Sequence, residues 1–227
     1  MRPLVLLFDI DGTLVTTGGA GRRAIARAFG RVYGREDACS GFDFSGMTDR
    51  AILRGGLTAL GKAVEPAAVD AILAAYLSAL TEEIASSSCR VHAGIDAALT
   101  EAHARPHCAV GLGTGNVREG ARIKLTRVGI YDRFAFGGFG CDHEDRAELI
   151  RMGAERGAAR LGLSRSDCRV VVIGDTPRDV AAAYAIGAEC IAVATGNYQA
   201  AQLSAAGARH VYRDLTEPTA LALLLGE

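Results

Sequence analysis

The sequence predicts an α/β fold: a Rossmann-like parallel sheet with helices on both faces, carrying an inserted all-helical cap domain. Three observations lead there. Leu4–Phe8 is an unbroken apolar run, which suits a strand buried on both faces better than a half-exposed one. Beyond residue 90, short apolar runs alternate with helical patterns, as crossover connections of a parallel sheet require. Between these two parts, residues from about 18 to 88 show helical periodicity and no strand pattern.

The first strand ends in acid. Asp9 and Asp11 are two residues apart, so in an extended segment they project from the same side, and Gly12 then lets the backbone turn. Asp11-Gly12 between apolar segments is also a type I′ hairpin signal. A hairpin sits poorly with the crossover helices expected between all later strands, so Leu4–Phe8 is expected to open a parallel sheet. The segment from Thr16 to Gly21 is small and flexible and suits a hinge.

Helical spacing follows at Ile25, Phe29, Val32 and Tyr33, and again at Ile52/Leu53, Leu57 and Leu60. From Pro66, a favourable first-turn residue, Val69, Ile72, Leu73, Tyr76, Leu77, Leu80 and Ile84 form one apolar stripe. Ser86-Ser87-Ser88 reads as the exit linker. A helix over Ile95–Ala104 precedes a strand at Cys108–Leu112, and another helix starts near Val117. Strands are expected around Phe134–Phe136, Val170–Ile173, Cys190–Val193 and His210–Tyr212, with helices near 146–161, 177–187, 199–206 and 217–225. The expected division is a catalytic core of residues 1–16 and 90–227 and a cap of residues 17–89.

Composition narrows the function classes. A chain of 227 residues buries a sizeable core, and a formal charge of -1 marks no nucleic-acid binder. No apolar segment approaches the ~18 residues of a membrane span, and LVLLF is too short for a signal-peptide core. The six cysteines lie far apart without metal-ligand spacing and read as reduced packing residues of a cytoplasmic protein. The five histidines are scattered, as surface or capping residues would be. A monomer or homodimer is expected.

Three further stretches carry chemistry. Gly111-Leu112-Gly113-Thr114-Gly115-Asn116 ends a strand and opens a helix, where glycine backbone, free N–H groups and a hydroxyl suit a phosphate; a capped strand-to-helix turn would look similar. In Gly174-Asp175-Thr176-Pro177-Arg178-Asp179, Thr176 as N-cap, Pro177 at the first helical position and Asp179 three after the cap complete an acidic capping box. That leaves Asp175 needing a partner or a cation, and a hard oxygen-seeking metal shared with Asp9 would satisfy it. A site of carboxylates and phosphate also needs a fixed positive charge. The two lysines, Lys62 in the helical block and Lys124 inside a helix, do not suggest themselves. Arg146 opens a helix, where a base opposes the helix dipole; a solvated surface arginine is the competing reading.

Together Asp9-x-Asp11-Gly12-Thr13, a Thr after the second strand, a base before a later helix and Gly174-Asp175-x-x-x-Asp179 resemble the four motifs of the haloacid dehalogenase-like hydrolase superfamily. The position of the helical insertion resembles the small-capped branch that includes phosphoglycolate phosphatases and β-phosphoglucomutases. The resemblance implies a Mg²⁺-dependent phosphatase that hydrolyses a small phosphorylated metabolite, phosphoglycolate-like or a sugar phosphate, through an aspartyl-phosphate. It implies Asp9 as nucleophile and Asp11 as general acid and then base. Thr114 would bind the phosphoryl group, and Arg146 would stand where the family usually has Lys. Gly12, Gly115 and Asn116 would join Asp11, Thr114 and Arg146 around the phosphate. Asp9, Asp175 and the backbone carbonyl of Asp11 would hold Mg²⁺, with Asp179 in support.

Elementary electrostatics agrees with this division, since a carboxylate attacking an anionic phosphoryl group needs a metal and a fixed cation to offset repulsion. Specificity is expected in the cap, at Thr17, Gly18 and Arg22 of the hinge and at Thr48, for which helix capping is an equal reading. A phosphomutase would use the same residues. A phospho-acceptor switch domain also gathers acids at strand ends but needs no helical insertion.

Overall fold

A computed structural model describes residues 2–226. Its centre is β1, Leu4–Phe8, flanked on both sides by parallel strands. In chain order the sheet strands are β1, β4 (Cys108–Thr114), β5 (Gly137–Phe139), β6 (Arg169–Gly174), β7 (Glu189–Val193) and β8 (His210–Tyr212). Their spatial order is β5-β4-β1-β6-β7-β8, all parallel, so the fold class is as the sequence predicts. The helices α4 (Ile95–His103), α5 (Arg118–Arg127), α6 (Arg146–Arg160), α7 (Pro177–Ala185), α8 (Ala200–Ala205) and α9 (Pro218–Leu225) make the crossovers and close the chain.

The lack of alternation in Leu4–Phe8 follows from two cores. Leu4, Leu6 and Phe8 point into a cluster with Ile95 and Leu99 of α4, Leu125 of α5 and Leu224 of α9. Val5 and Leu7 point the other way, onto Leu149 and Ile150 of α6, Val180 of α7 and Leu203 of α8. Each such side chain contributes about 1.5–3 kcal/mol by leaving water, so β1 is fixed in register from both faces.

The hairpin reading of Asp11-Gly12 does not hold. Both neighbours of Leu4–Phe8 are parallel strands, and Ile10 O gathers the N–H groups of Thr13, Leu14 and Val15 into a compact turn in which Gly12 has φ +85°. The chain then crosses to the insertion through β2 (Val15–Thr16) and returns through β3 (Arg90–Val91), which pair antiparallel. Between them lie α1 (Ala20–Tyr33), α2 (Asp49–Ala59) and α3 (Pro66–Ser86). They enclose their own core, with Ile25, Phe29, Leu53, Leu57, Ile72, Tyr76 and Leu80 at its centre. Val32, counted in the apolar stripe of the first helix, is exposed instead.

One strand is displaced. The aromatic run Phe134–Phe136 is not a strand; β5 lies three residues later. Phe134 and Phe136 are buried packing residues, Phe134 edge-on to Phe8 and Phe136 against Gly111 and Gly157. The strand itself is Gly137-Gly138-Phe139 because α6 crosses it closely: a Cβ at Gly138 would fall 1.8 Å from Leu149 O.

Candidate active site

The site forms beyond the carboxyl ends of β1, β4 and β6, where adjacent parallel strands end together. Asp9 is held at the end of β1 by its N–H, which donates to Ile173 O of β6 at 2.9 Å. Asp175 leaves β6 directly across from it and accepts from Thr13 Oγ1 at 2.9 Å. Asp175 is gripped on two sides by backbone that tolerates no side chain: a Cβ on Gly12 would lie 2.3 Å, and one on Gly196 1.7 Å, from its Oδ2. Thr195 Oγ1 donates to Gly12 O and ties these two loops together.

Arg146 is not a surface residue. It is the first residue of α6, whose N-cap Asp145 accepts from Ala147 and Glu148, and its side chain is buried. Its guanidinium donates to Asp179 Oδ1 through Nε at 2.9 Å and through Nη2, which also lies 3.0 Å from Asp9 Oδ2. The two carboxylates explain a base at a helix start that the dipole disfavours. Asp179 makes the expected capping box on α7, Oδ2 accepting from Thr176 N and Oγ1, while its Oδ1 serves Arg146.

Burial dominates the electrostatics. It pushes the Asp9 carboxyl up to about 6 against the opposing Arg146 charge. At Asp175 burial, and then the neighbouring charges of Asp179 and Asp9, push the carboxyl well above the usual range. Carboxylate oxygens of Asp9, Asp175 and Asp179 lie within 4.8 Å of one another. An all-oxygen, crowded, buried donor set of this kind fits a hard divalent cation. Asp179 already has both oxygens engaged, so Asp9 and Asp175 are the pair with coordinating capacity left.

A cavity of about 350 Å³ opens between this strand-end site and the helical insertion. Asp9, Asp11, Gly12, Gly115, Asn116, Arg146 and Asp175 line it from the sheet side, and Thr17, Arg22, Ile25, Phe44, Met47 and Tyr76 from the insertion.

The haloacid dehalogenase-like hydrolase family model matches residues 4–187. The chain belongs to that family. It is therefore an enzyme, built as an α/β core with a helical insertion after its first strand. Among solved structures it is similar to a predicted phosphatase from Clostridium acetobutylicum, at 17% identity and TM-score 0.70 over 100% of both chains. A predicted phosphoglycolate phosphatase from Haemophilus somnus aligns at 16% identity and TM-score 0.68, covering 100% of this chain and 98% of that one. CbbY from Rhodobacter sphaeroides, solved in complex with phosphate, aligns at 16% identity and TM-score 0.71 over 96% of each chain. No curated protein sequence matches the chain.

The hydrolase fold brings most of the expected residues together, though not all reach the cavity wall. Thr114 is fully buried at the end of β4, its Oγ1 accepting from Asn116 Nδ2 at 2.9 Å. Gly115 packs under the insertion, where a Cβ would meet Met47 O at 2.3 Å, and its carbonyl accepts from Asp49 N at 2.8 Å. Gly18 O accepts from Arg23 Nη1, and Thr48 uses its hydroxyl to cap α2 by accepting from Ala51 N at 3.3 Å. Arg22 lies over the Phe44 ring, 3.9 Å from the centroid, and donates to Phe42 O.

Sequence reasoning passed over Lys124 as a residue inside a helix. Lys124 is buried, and its Nζ donates at 2.6 Å to both Asp11 Oδ2 and Asn116 Oδ1. Burial pushes its ammonium down, but the carboxylates of Asp11 and Asp49 outweigh that and hold it above its ordinary range. The only sequence signal was its position in α5, four residues after Gly120 and eight after Asn116, on the face that meets the strand ends.

Proposed function

We propose that this hydrolase is a cytoplasmic, Mg²⁺-dependent phosphatase of a small phosphorylated metabolite, working through an aspartyl-phosphate on Asp9. The observation that carries the reading is the placement of Asp9 between Arg146 and Asp175 at the end of the central strand, with Asp11 facing the same cavity. Six free cysteines fit a reducing compartment. A bound phosphate in the similarly folded CbbY supports a phosphorylated substrate.

Each residue then has a task. Asp9, Asp175 and the Asp11 carbonyl would hold Mg²⁺, which would supply charge neutralisation between nucleophile and phosphoryl group. Asp9 attacks phosphorus while Asp11 gives a proton to the leaving oxygen; Asp11 then takes a proton from water as the aspartyl-phosphate is hydrolysed. Arg146, fixed by Asp179, donates towards the phosphoryl oxygens and Asp9 without reorganising. Asn116, held from behind by Thr114 Oγ1, completes the phosphate cradle, and the insertion, residues 17–89, covers it as a cap that excludes water.

The test is Asp9→Asn assayed with an aryl phosphate and Mg²⁺. Loss of the nucleophile predicts a fall of at least about 10³-fold in turnover, well beyond the 10²–10⁴-fold range's lower end for a single proton-transfer group. Turnover equal to the wild type overturns the reading.

A further inference from the structure

We propose that Lys124 is a positioning residue for Asp11: it locks the carboxyl group so that one oxygen, Oδ1, faces the leaving oxygen of the substrate. This inference rests on the phosphatase reading and adds a residue to it.

The geometry is a closed triangle. Asp11 Oδ2 accepts from Lys124 Nζ at 2.6 Å and from Asn116 Nδ2 at 2.9 Å. Lys124 Nζ also donates to Asn116 Oδ1 at 2.6 Å, and Asn116 Nδ2 reaches Thr114 Oγ1 at 2.9 Å. Each side chain fixes the other two. With two donors on Oδ2, that oxygen has no room for a proton of its own, so Oδ1 is the oxygen left to carry and transfer one. The Asp11 side chain is itself 44% exposed, towards the cavity, whereas that of Lys124 is 4% exposed. The exposed carboxylate is thus tethered by the buried ammonium.

The surroundings keep the tether dry. Helix α1 of the cap passes over it at Gly21, where a Cβ would lie 3.4 Å from Nζ and 3.8 Å from Cε. Asp49 adds a second negative charge behind the ammonium. A lysine buried for packing alone would cost free energy that an apolar residue would not. Here its hydrogen bonds go to a group that proton transfer needs in one orientation.

The step balances as follows. A bond forms from an Asp9 oxygen to phosphorus, the ester P–O bond breaks, and the proton on Asp11 Oδ1 passes to the departing oxygen, releasing an alcohol. The carboxylate that remains keeps the Lys124 ammonium against Oδ2. In the second half, water attacks phosphorus, Oδ1 receives its proton, and the Asp9–phosphorus bond breaks to give inorganic phosphate.

Leaving-group dependence tests this directly, because kcat/KM covers phosphoryl transfer to Asp9 and not the later hydrolysis. A nitrophenolate leaves with little help from an acid; a simple alkoxide does not. For Lys124→Met we expect kcat/KM to fall about 100-fold on an alkyl monophosphate and only about 3-fold on 4-nitrophenyl phosphate, given the ~10²–10⁴-fold worth of positioned acid catalysis. In an Asp11→Asn background the same substitution should cost the alkyl ester less than about 3-fold, since two residues acting as one unit are not additive. Lys124→Gln, which keeps one donor, serves if the methionine variant fails to fold, and should lie between it and wild type. Equal losses on both esters, or a full additional loss in the Asp11→Asn background, would overturn the role of Lys124 while leaving the phosphatase reading standing. A wild-type enzyme that hydrolyses neither ester with Mg²⁺ would remove both.

Discussion

Asp9 shows how one residue carries two demands. Its carboxyl is pushed up to about 6 by burial, with Arg146 opposing and Asp179 and Asp11 adding to the rise. In its proposed role as nucleophile and metal ligand Asp9 must be ionised, so proton and Mg²⁺ would compete for the same oxygens. Above pH 6 the carboxylate is free to bind; below it, the proton must be displaced first. We therefore expect Mg²⁺ affinity, measured by titration calorimetry, to fall by at least about tenfold per pH unit below about 6, because the Asp175 carboxyl, the other proposed ligand, is raised by burial as well. An affinity flat from pH 5 to 8 would mean that Asp9 is not a ligand. The Arg146 fork holds Asp179 through Nε and Nη2 while Nη2 also reaches Asp9, a planar arrangement that a lysine ammonium on a different stem does not reproduce. Losing one charged hydrogen bond of about 1.5–3 kcal/mol in Arg146→Lys should lower kcat/KM on an aryl phosphate by about 10–100-fold, and a variant as active as wild type would show that charge alone suffices.

Among the elements, helix caps divide the work between stability and chemistry. Thr48 caps α2 with its hydroxyl and is buried away from the cavity lining. Thr48→Ala should lower stability by about 1 kcal/mol, the usual value of an N-cap, read as a shift in the denaturant midpoint. What the sequence revealed follows the same physics. The central strand, its acidic end and the Thr176–Asp179 box were legible because apolar runs and caps have local signatures. Strand β5 was not, since its glycines exist to let α6 approach at Gly138 and glycine carries no strand propensity. Lys124 was hidden for a different reason. A lysine within a helix reads as solvated, and only the fold shows that Asp11, 113 residues away in sequence, receives it.

At the scale of the whole molecule, a buried carboxylate joins the insertion to the sheet layer and serves two helices. Asp49 is the first residue of α2, a favourable place for negative charge, and its Oδ2 accepts from Val117 N at the start of α5 at 2.8 Å. Two hydrogen bonds, Arg178 to Ser45 O and Tyr198 to Asp43, and the ion pair of Arg54 with Glu144 join the same two layers, but at the surface, where water competes and such contacts contribute little. Burial pushes the Asp49 carboxyl up to about 6, with Lys124 and the Val117 N–H opposing. The sign follows from linkage: an acid with a raised pKa in the folded state binds its proton more tightly there than when unfolded. Its contribution to stability is therefore present below about pH 4 and is lost as pH rises to about 6. Asn at this position keeps an acceptor for Val117 N–H but has no proton to lose. The stability of Asp49→Asn relative to wild type should then improve as pH climbs from 4 to 7, by at most about 3 kcal/mol for a two-unit shift. Denaturant melts of both proteins across that range measure it. A difference independent of pH would mean that Asp49 stays solvated, and that the insertion does not close over it as this structure shows.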